Sequence, residues 1–467
     1  MSSPIAGGSA AARFTAKALT VVLSLGLVLG LSLGRAPLAQ AETQDDLYEK
    51  LQLFSLVLTE VQNKFVEDPK SEEMVYGAIR GMLSTLDPHS SFMTPEEMDD
   101  FKQESQGSFF GVGIEISLRD GVLTVVSPIE GTPAYRAGLQ AADQIIKIDD
   151  KSTKDMSLTE AVKLIRGPKG TQVTFTINRE KTKSIKTYTV TRDLIPIRSV
   201  RWEELEPGYG YLRIASFQGD TYQESLKALQ SFKDLKGLIL DLRNDPGGLL
   251  DQSIKVSGLF LGPGELVVET KGRMDDQNDR HNSHTQMALP QACPIVVLVN
   301  EGSASASEIV AGALQDHKRA LVVGAKSFGK GSVQTVLPMP DGSGLRLTTA
   351  RFYTPSGHSI QADGITPDII VPSRLPPEVE VIREKDLDRH LVGANEKAGP
   401  ADQVKDKDKT GKAGSGDKKD EAEEFEMPDR PLSEMPLPER LKFDPQLDKA
   451  LTLLKANQVP NKFVAAR

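Results

Sequence analysis

Ile295-Val296-Val297-Leu298-Val299 is followed at once by Asn300-Glu301-Gly302-Ser303-Ala304-Ser305-Ala306-Ser307-Glu308, and then by Ile309-Val310-Ala311-Gly312-Ala313-Leu314. The first run is continuously apolar and reads as a strand buried on both faces. Small residues fill the turn, and Ile309, Val310, Ala313 and Leu314 then fall on one face of a helix. Strand, turn and helix are the repeating unit of an α/β fold. Apolar runs at residues 238–242 and 321–323 repeat the pattern, so residues 196–373 are read as an α/β core.

The pattern changes on either side. Residues 105–195 hold short β-rich runs at 112–118, 122–126, 144–148, 173–178 and 187–191, separated by Gly, Asp and Pro turns. A short helix is expected at 134–137. A second opens with Ser157-Leu158-Thr159-Glu160, a capping box ahead of Val162, Leu164 and Ile165. Five or six strands with two helices predict a small, partly open β-barrel. In residues 42–104, Leu47, Leu51, Phe54, Leu58, Val61 and Phe65 recur at helical spacing and a second helix covers 73–83. This arm reads equally as a packing element or as a dimerisation surface. Residues 374–440 are dense in Lys, Asp, Glu, Gly and Pro and are expected to be disordered. Residues 441–467 hold a last helix with Leu447, Leu451 and Leu454 on one face, which needs a surface of its own chain or of another subunit.

At 467 residues, with 39% hydrophobic and 26% charged side chains, the chain has the balance of a soluble protein of several domains. A net charge of -9 without a clustered basic surface excludes general affinity for nucleic acid. Arg13 and Lys17 precede an apolar run at 18–34, and Ala39-Gln40-Ala41 follows, so residues 1–41 read as a signal peptide or, if uncleaved, an anchor. Either places the remainder outside the cytoplasm, in a periplasmic or equivalent compartment. The single cysteine, Cys293, rules out an internal disulfide.

Two turns of the α/β core are suited to chemistry. Asp241-Leu242-Arg243-Asn244-Asp245-Pro246-Gly247-Gly248 can point free N–H groups at an anion. The 301–308 turn puts three serines at a helix start, which taken alone reads as a cap before it reads as a nucleophile. A third segment, Ser327-Phe328-Gly329-Lys330-Gly331-Ser332-Val333-Gln334, supplies a glycine-flanked lysine. Its ammonium loses proton affinity if it is desolvated, and it then becomes a base. The six histidines, His89, His281, His284, His317, His358 and His390, offer no triad imidazole and no metal site, and no cofactor is expected.

These residues resemble the carboxyl-terminal processing proteases, exported Ser/Lys endopeptidases of peptidase family S41 with a built-in PDZ domain. The likeness rests on Leu86-Asp87-Pro88-His89-Ser90, the 241–248 turn, Ser303-Ala304-Ser305-Ala306-Ser307-Glu308, Phe328-Gly329-Lys330-Gly331 and Gly364-Ile365-Thr366-Pro367-Asp368, in that order. It implies a core resembling the crotonase/ClpP-like spiral, with an inserted PDZ β-barrel and an N-terminal helical arm. It assigns Ser305 as nucleophile, Lys330, at 330 − 305 = 25 positions on, as base, and Gln334 as the residue that orients the lysine. The N–H groups of Gly248 and Ala306 become the oxyanion hole. Peptide carboxyl termini are expected to bind at Gly111, Val112, Gly113 and Ile114, beside Ile116, Val162 and Ile165. The chain departs from the family at Asp245, commonly asparagine, and at Ala142, often glycine. The implied substrates are unfolded or C-terminally exposed envelope proteins. A homo-oligomer and an activating partner protein are further expectations. A PDZ scaffold without catalysis and acyl-CoA chemistry on the same core are the rival readings.

Overall fold

The computed structural model describes residues 44–373, 381–393 and 435–459, apart from 120, 130, 181 and 182. The expected signal peptide and residues 394–434 of the charged segment lie outside the described residues. Helix α1 (Gln44–Lys64) carries exposed Leu47, Leu51, Phe54 and Val61, exposed Phe65 comes directly after it, and α2 (Ser71–Leu83) follows. Among the described residues no helix is long and apolar enough to cross a membrane.

Strand β1 (Ser91–Met93) and α3 (Pro95–Ser105) lead into the small domain. Thr94 caps α3 reciprocally with Glu97, and Pro95 sits at the first helical position, where its missing N–H costs nothing. The chain then runs through β2 (Ser108–Gly111), β3 (Ile114–Arg119), β4 (Val122–Pro128), α4 (Pro133–Ala137), β5 (Gln144–Ile148) and β6 (Lys151–Ser152). It continues through α5 (Leu158–Ile165), β7 (Gln172–Arg179), β8 (Ser184–Thr191) and β9 (Asp193–Pro196). The order β3-β4-β5-β7-β8 is antiparallel throughout, around a core that includes Val125, Ile145, Val173, Phe175 and Ile177. The Ser157/Glu160 capping box forms as its spacing predicts. Strand β2 pairs with β9, Ser108 opposite Pro196 and Gly111 opposite Asp193, so the two ends of the domain meet in one stem.

The core begins with β10 (Val200–Glu206), β11 (Tyr209–Ile214), α6 (Thr221–Ser231), β12 (Gly237–Asp241), α7 (Leu250–Leu261), β13 (Leu266–Gly272) and β14 (Asp279–Asn282). Next come β15 (Ile295–Val299), α8 (Ala306–Asp316), β16 (Leu321–Gly324), β17 (Ser332–Pro338), β18 (Gly344–Tyr353) and β19 (Ile369–Ile370). The central sheet is ordered β10-β11-β12-β15-β16-β19 and is parallel except for β10 against β11. Its runs are continuously apolar because both faces are covered. Ile295, Val297 and Val299 pack with Val256, Phe260, Val310 and Leu314, from α7 and α8. Val296 and Leu298 pack with Leu447, Leu451 and Leu454 of α10 (Pro445–Lys455), which follows α9 (Leu437–Phe443). The last helix therefore covers a sheet of its own chain. A second, antiparallel sheet, β1-β18-β13-β14 with β17 beside β18, carries the lysine loop.

The expectation that residues 374–440 lack structure is too broad. Residues 381–393 pack on the core, with Glu384 fully buried, and α9 begins before residue 441. Composition averages over a segment, whereas a buried carboxylate is settled by partners remote in sequence. Here they are His89, at 2.9 Å, and Gln361, whose amide donates to it at 3.0 Å.

Candidate active site

Three serines precede or begin α8, and their surroundings separate them. Ser303 is fully buried and donates to the Leu242 carbonyl at 2.7 Å, while Ser307, equally buried, donates to the Asp245 carbonyl at 2.9 Å. Both hydroxyls clamp the serine turn to the 241–248 turn. Asn300 adds to the clamp, accepting from the Asn244 N–H at 2.8 Å and donating to the Asn244 side chain at 2.9 Å. Ser305 is only half-buried and its hydroxyl does not cap the helix. Its backbone has φ 56 and ψ -113, a conformation that costs a serine about 1–3 kcal/mol. A strained turn between strand and helix is how α/β hydrolases thrust a nucleophile forward.

The double glycine lies against it. A Cβ at Gly247 (φ 97) would stand 2.8 Å from the Ser305 Cβ, and one at Gly248 (φ 146) would stand 2.1 Å from the Phe217 carbonyl oxygen. Only glycine permits this approach. Phe217 fixes the turn, donating to the Gly247 carbonyl and accepting from the Leu249 N–H, each at 2.8 Å. The N–H groups of Gly248 and Ala306 have no acceptor among the described residues.

The lysine loop joins the serine turn through Glu308, which is fully buried. Its carboxylate accepts from the N–H of Ser305 (2.7 Å), Gly329 (2.7 Å) and Lys330 (2.9 Å) and from the Ser327 hydroxyl (2.6 Å). Burial nevertheless pushes its carboxyl up to about 7. Lys330 is moved below its ordinary value, mainly by burial, with Glu384 opposing the shift and Arg346 reinforcing it. The Ser305 hydroxyl and the Lys330 amine are not hydrogen-bonded to each other here; such bonds commonly tighten only around substrate.

Gln334 makes its hydrogen bonds within the sheet that carries the lysine loop. Its amide nitrogen donates to Ser332 Oγ (2.9 Å) and Thr348 Oγ1 (3.2 Å) rather than meeting the lysine. Thr348 in turn donates to Asp87 at 3.1 Å, so the Leu86-Asp87-Pro88-His89-Ser90 segment buttresses β17 and β18. Its neighbour His89 pairs with Glu384, which holds Gln361, and Gln361 accepts from the Gly331 N–H at 3.0 Å. Glu308, Gln361 and Glu384 are thus part of the site, although spacing alone did not single them out. Glu308 sits in the quoted serine turn, but three of its four partners lie 19 to 22 positions away.

In the small domain, Val112 and Ile165 belong to the core, whereas Ile114, Ile116 and Val162 are half-buried. Gly113 has φ 77, and a Cβ there would collide with Thr132 at 2.4 Å; Gly111 ends β2. Ala142 occupies φ 68, where glycine is unstrained and alanine is not. His317 closes α8, and its Nε2 meets the Leu266 carbonyl at 2.7 Å, away from Ser305.

Peptidase family S41 matches residues 208–371, a PDZ domain matches 124–179, and the activating protease CtpB N-terminal domain matches 33–97. The carboxy-terminal-processing protease of Bartonella bacilliformis is 45% identical over 367 residues, covering 76% of this chain and 83% of that one. The carboxy-terminal processing protease CtpA of Bacillus subtilis is 36% identical, with 75% of each chain covered. Among solved structures, the photosystem II D1 C-terminal processing protease shares 32% identity over 74% of this chain and 94% of its own, with a TM-score of 0.43. A serine turn, a lysine loop and a PDZ domain in this arrangement, with relatives of this closeness, make the chain a serine-type peptidase of family S41, one of the carboxy-terminal processing proteases.

Proposed function

We propose that this chain cleaves exported proteins near their carboxyl termini with a Ser305/Lys330 dyad. The observation that carries the assignment is the division of labour among the serines. Ser303 and Ser307 are spent as clamps, and Ser305 stands on a strained backbone beside two N–H groups without acceptors. In the reaction, Lys330 takes the Ser305 proton as the oxygen attacks the peptide carbonyl carbon, and the N–H groups of Gly248 and Ala306 receive the negative oxygen. Collapse breaks the C–N bond, Lys330 returns the proton to the leaving amine, and water then releases the acyl group. Gln334 acts on the lysine only through the Ser332 and Thr348 framework.

The carboxylate loop at 111–114, with Ile114, Ile116 and Val162 beside it, receives the substrate terminus as an added strand. We read the core as a crotonase/ClpP-like spiral, the compartment as periplasmic or extracytoplasmic, and the substrates as unfolded or C-terminally exposed envelope proteins. The same reading includes a homo-oligomer and an activating partner protein, and no nucleic acid. The test is turnover of an unfolded protein by Ser305→Ala, Lys330→Ala and Lys330→Arg variants that keep the wild-type circular dichroism spectrum. Each should lose activity by about 10²–10⁴-fold. Arginine fails because guanidinium does not release its proton at working pH. Near wild-type turnover by Lys330→Arg sinks the assignment.

A further inference from the structure

Two carboxyl groups stand four positions apart on the turn that carries Gly248, and both are fully buried. Burial alone would push Asp241 up. Arg243 grips it with contacts of 2.6 to 3.1 Å, Arg213 lies 3.5 Å away and the Tyr211 hydroxyl donates at 2.7 Å, so its carboxyl is held at about 2. Asp245 has no arginine or tyrosine bonded to its carboxyl. Its Oδ1 accepts one bond, from the Gly247 N–H at 2.8 Å, and its Oδ2 is buried with no hydrogen-bond partner. A carboxylate has roughly four acceptor sites, so the ionised form is left almost unsolvated here, whereas the neutral acid resembles the amide of asparagine.

Charges around it do not repair the deficit. Arg213, on β11, favours ionisation and Asp241, on β12, opposes it, while Arg243 on the same turn is committed to Asp241 and Asp444. From α8 come the Ser307 hydroxyl, which donates to the backbone carbonyl of Asp245 and also favours the ionised carboxyl, though less than burial opposes it, and Glu308, itself held near neutrality. Lys330, the cation of the catalytic loop, is bound through its N–H to Glu308. The Asp245 carboxyl is accordingly pushed up to about 7, by burial above all.

The position matters because the same residue shapes the oxyanion hole. The Asp245 side chain holds Gly247, the Gly247 Cα packs on Ser305, and the next N–H in the chain is that of Gly248. The Asp245 carbonyl also accepts from the Ala304 N–H at 2.9 Å, tying the serine turn to this one. We propose that Asp245 is a positioning residue that must be protonated for the Gly248 and Ala306 N–H groups to stabilise the oxyanion, so that peptide hydrolysis fails as this carboxyl ionises. An ionised Asp245 sets a negative charge beside the place where negative charge must develop, in a site shielded from water. This rests on the Ser305 and oxyanion-hole reading above. Lys330 needs to lose its proton and Asp245 needs to keep its own, so the two set opposite limbs of the pH profile.

The experiment measures kcat/KM for one unfolded protein from about pH 5.5 to 9, with full-length wild type, Asp245→Asn, Asp245→Ala and Ser305→Ala. Wild type should lose activity on the alkaline side by about tenfold per pH unit once Asp245 is ionised and Lys330 has become neutral, because until then the gain at the lysine offsets the loss at the aspartate. Asp245→Asn keeps the bond to Gly247 and cannot ionise, so its alkaline fall should vanish and its optimum should move upward. Asp245→Ala also cannot ionise but frees the Gly247 N–H, so its activity should be lower at every pH, again without the fall. A wild-type profile with no alkaline fall, or the same fall in Asp245→Asn and Asp245→Ala at unchanged melting temperature, overturns the proposal. Glu308 titrates in the same range, and a fall that survives in both variants belongs to it. Activity in Ser305→Ala would instead overturn the reading of the site, and the proposal with it.

Discussion

The peptidase core and the small β-domain are held together in different ways. In the core, side chains from one loop are spent on another: Ser303, Ser307, Asn300 and Glu308 each cross between segments, and all are buried. In the small domain the loop proposed to bind peptide turns on Gly113, and the side chains proposed for its pocket, Ile114, Ile116 and Val162, remain half-buried. A reacting geometry that tolerates little displacement is fixed by crossing polar bonds, whereas a recognition groove that accepts varied ends is left to turn chemistry and partial burial.

The comparison breaks most sharply at Glu308. Replacing it by alanine should cost activity by about 10²-fold or more, since it leaves three N–H donors and one hydroxyl without their acceptor, at about 1–3 kcal/mol each if unrepaired. Turnover and melting temperature measured together check this; unchanged kcat would mean that the two loops are held by something else. On the far face of the sheet, Leu451→Ala should destabilise the core by about 2–5 kcal/mol in denaturant unfolding without altering KM.

Charge sharpens the contrast within the core. Asp245 and Glu308 have raised carboxyls, so the stability they contribute is complete below the ordinary carboxyl range and is lost as pH rises through about 7. Asp241 is the reverse: its contribution is complete above that range and disappears as pH falls towards about 2. Melting temperature should therefore decline between mildly acidic and mildly alkaline buffer, and Asp245→Asn should reduce the decline. In the small domain, Val162→Asp should raise KM for a substrate with an apolar terminus by about tenfold, equivalent to about 1.4 kcal/mol, and leave kcat in place. An unaffected KM would remove Val162 from the pocket. The smallest effect belongs to Ala142→Gly, which relieves φ 68 and should stabilise the domain by about 1 kcal/mol in thermal unfolding.

How far the sequence could be read follows the same division. Continuous apolar runs and capping boxes are local signals, so the strands β12, β15 and β16 and the Ser157 cap were legible. The two loops that carry Ser305 and Lys330 were legible as motifs too, and the fold brings them together through Glu308. Glu308 was not, because a glutamate three places after an N-cap is what ordinary capping also requires. Glu384 was hidden further, in a stretch whose average composition argues for disorder, and only folding brings it to His89 and Gln361. The Gln334 contacts depend on how β17 registers against β18, with Gln334 opposite Thr348, and a bulge next to Gln334 sets that register.

The stem of β2 and β9 has an evolutionary consequence. Because the small domain leaves the core where it joined it, its insertion asks the core for no more than one short loop closure, a cost that barely depends on what is inserted. The small domain is in effect a cartridge: a lineage can lengthen it, retune it or exchange it while the serine and lysine loops inherit an unchanged frame.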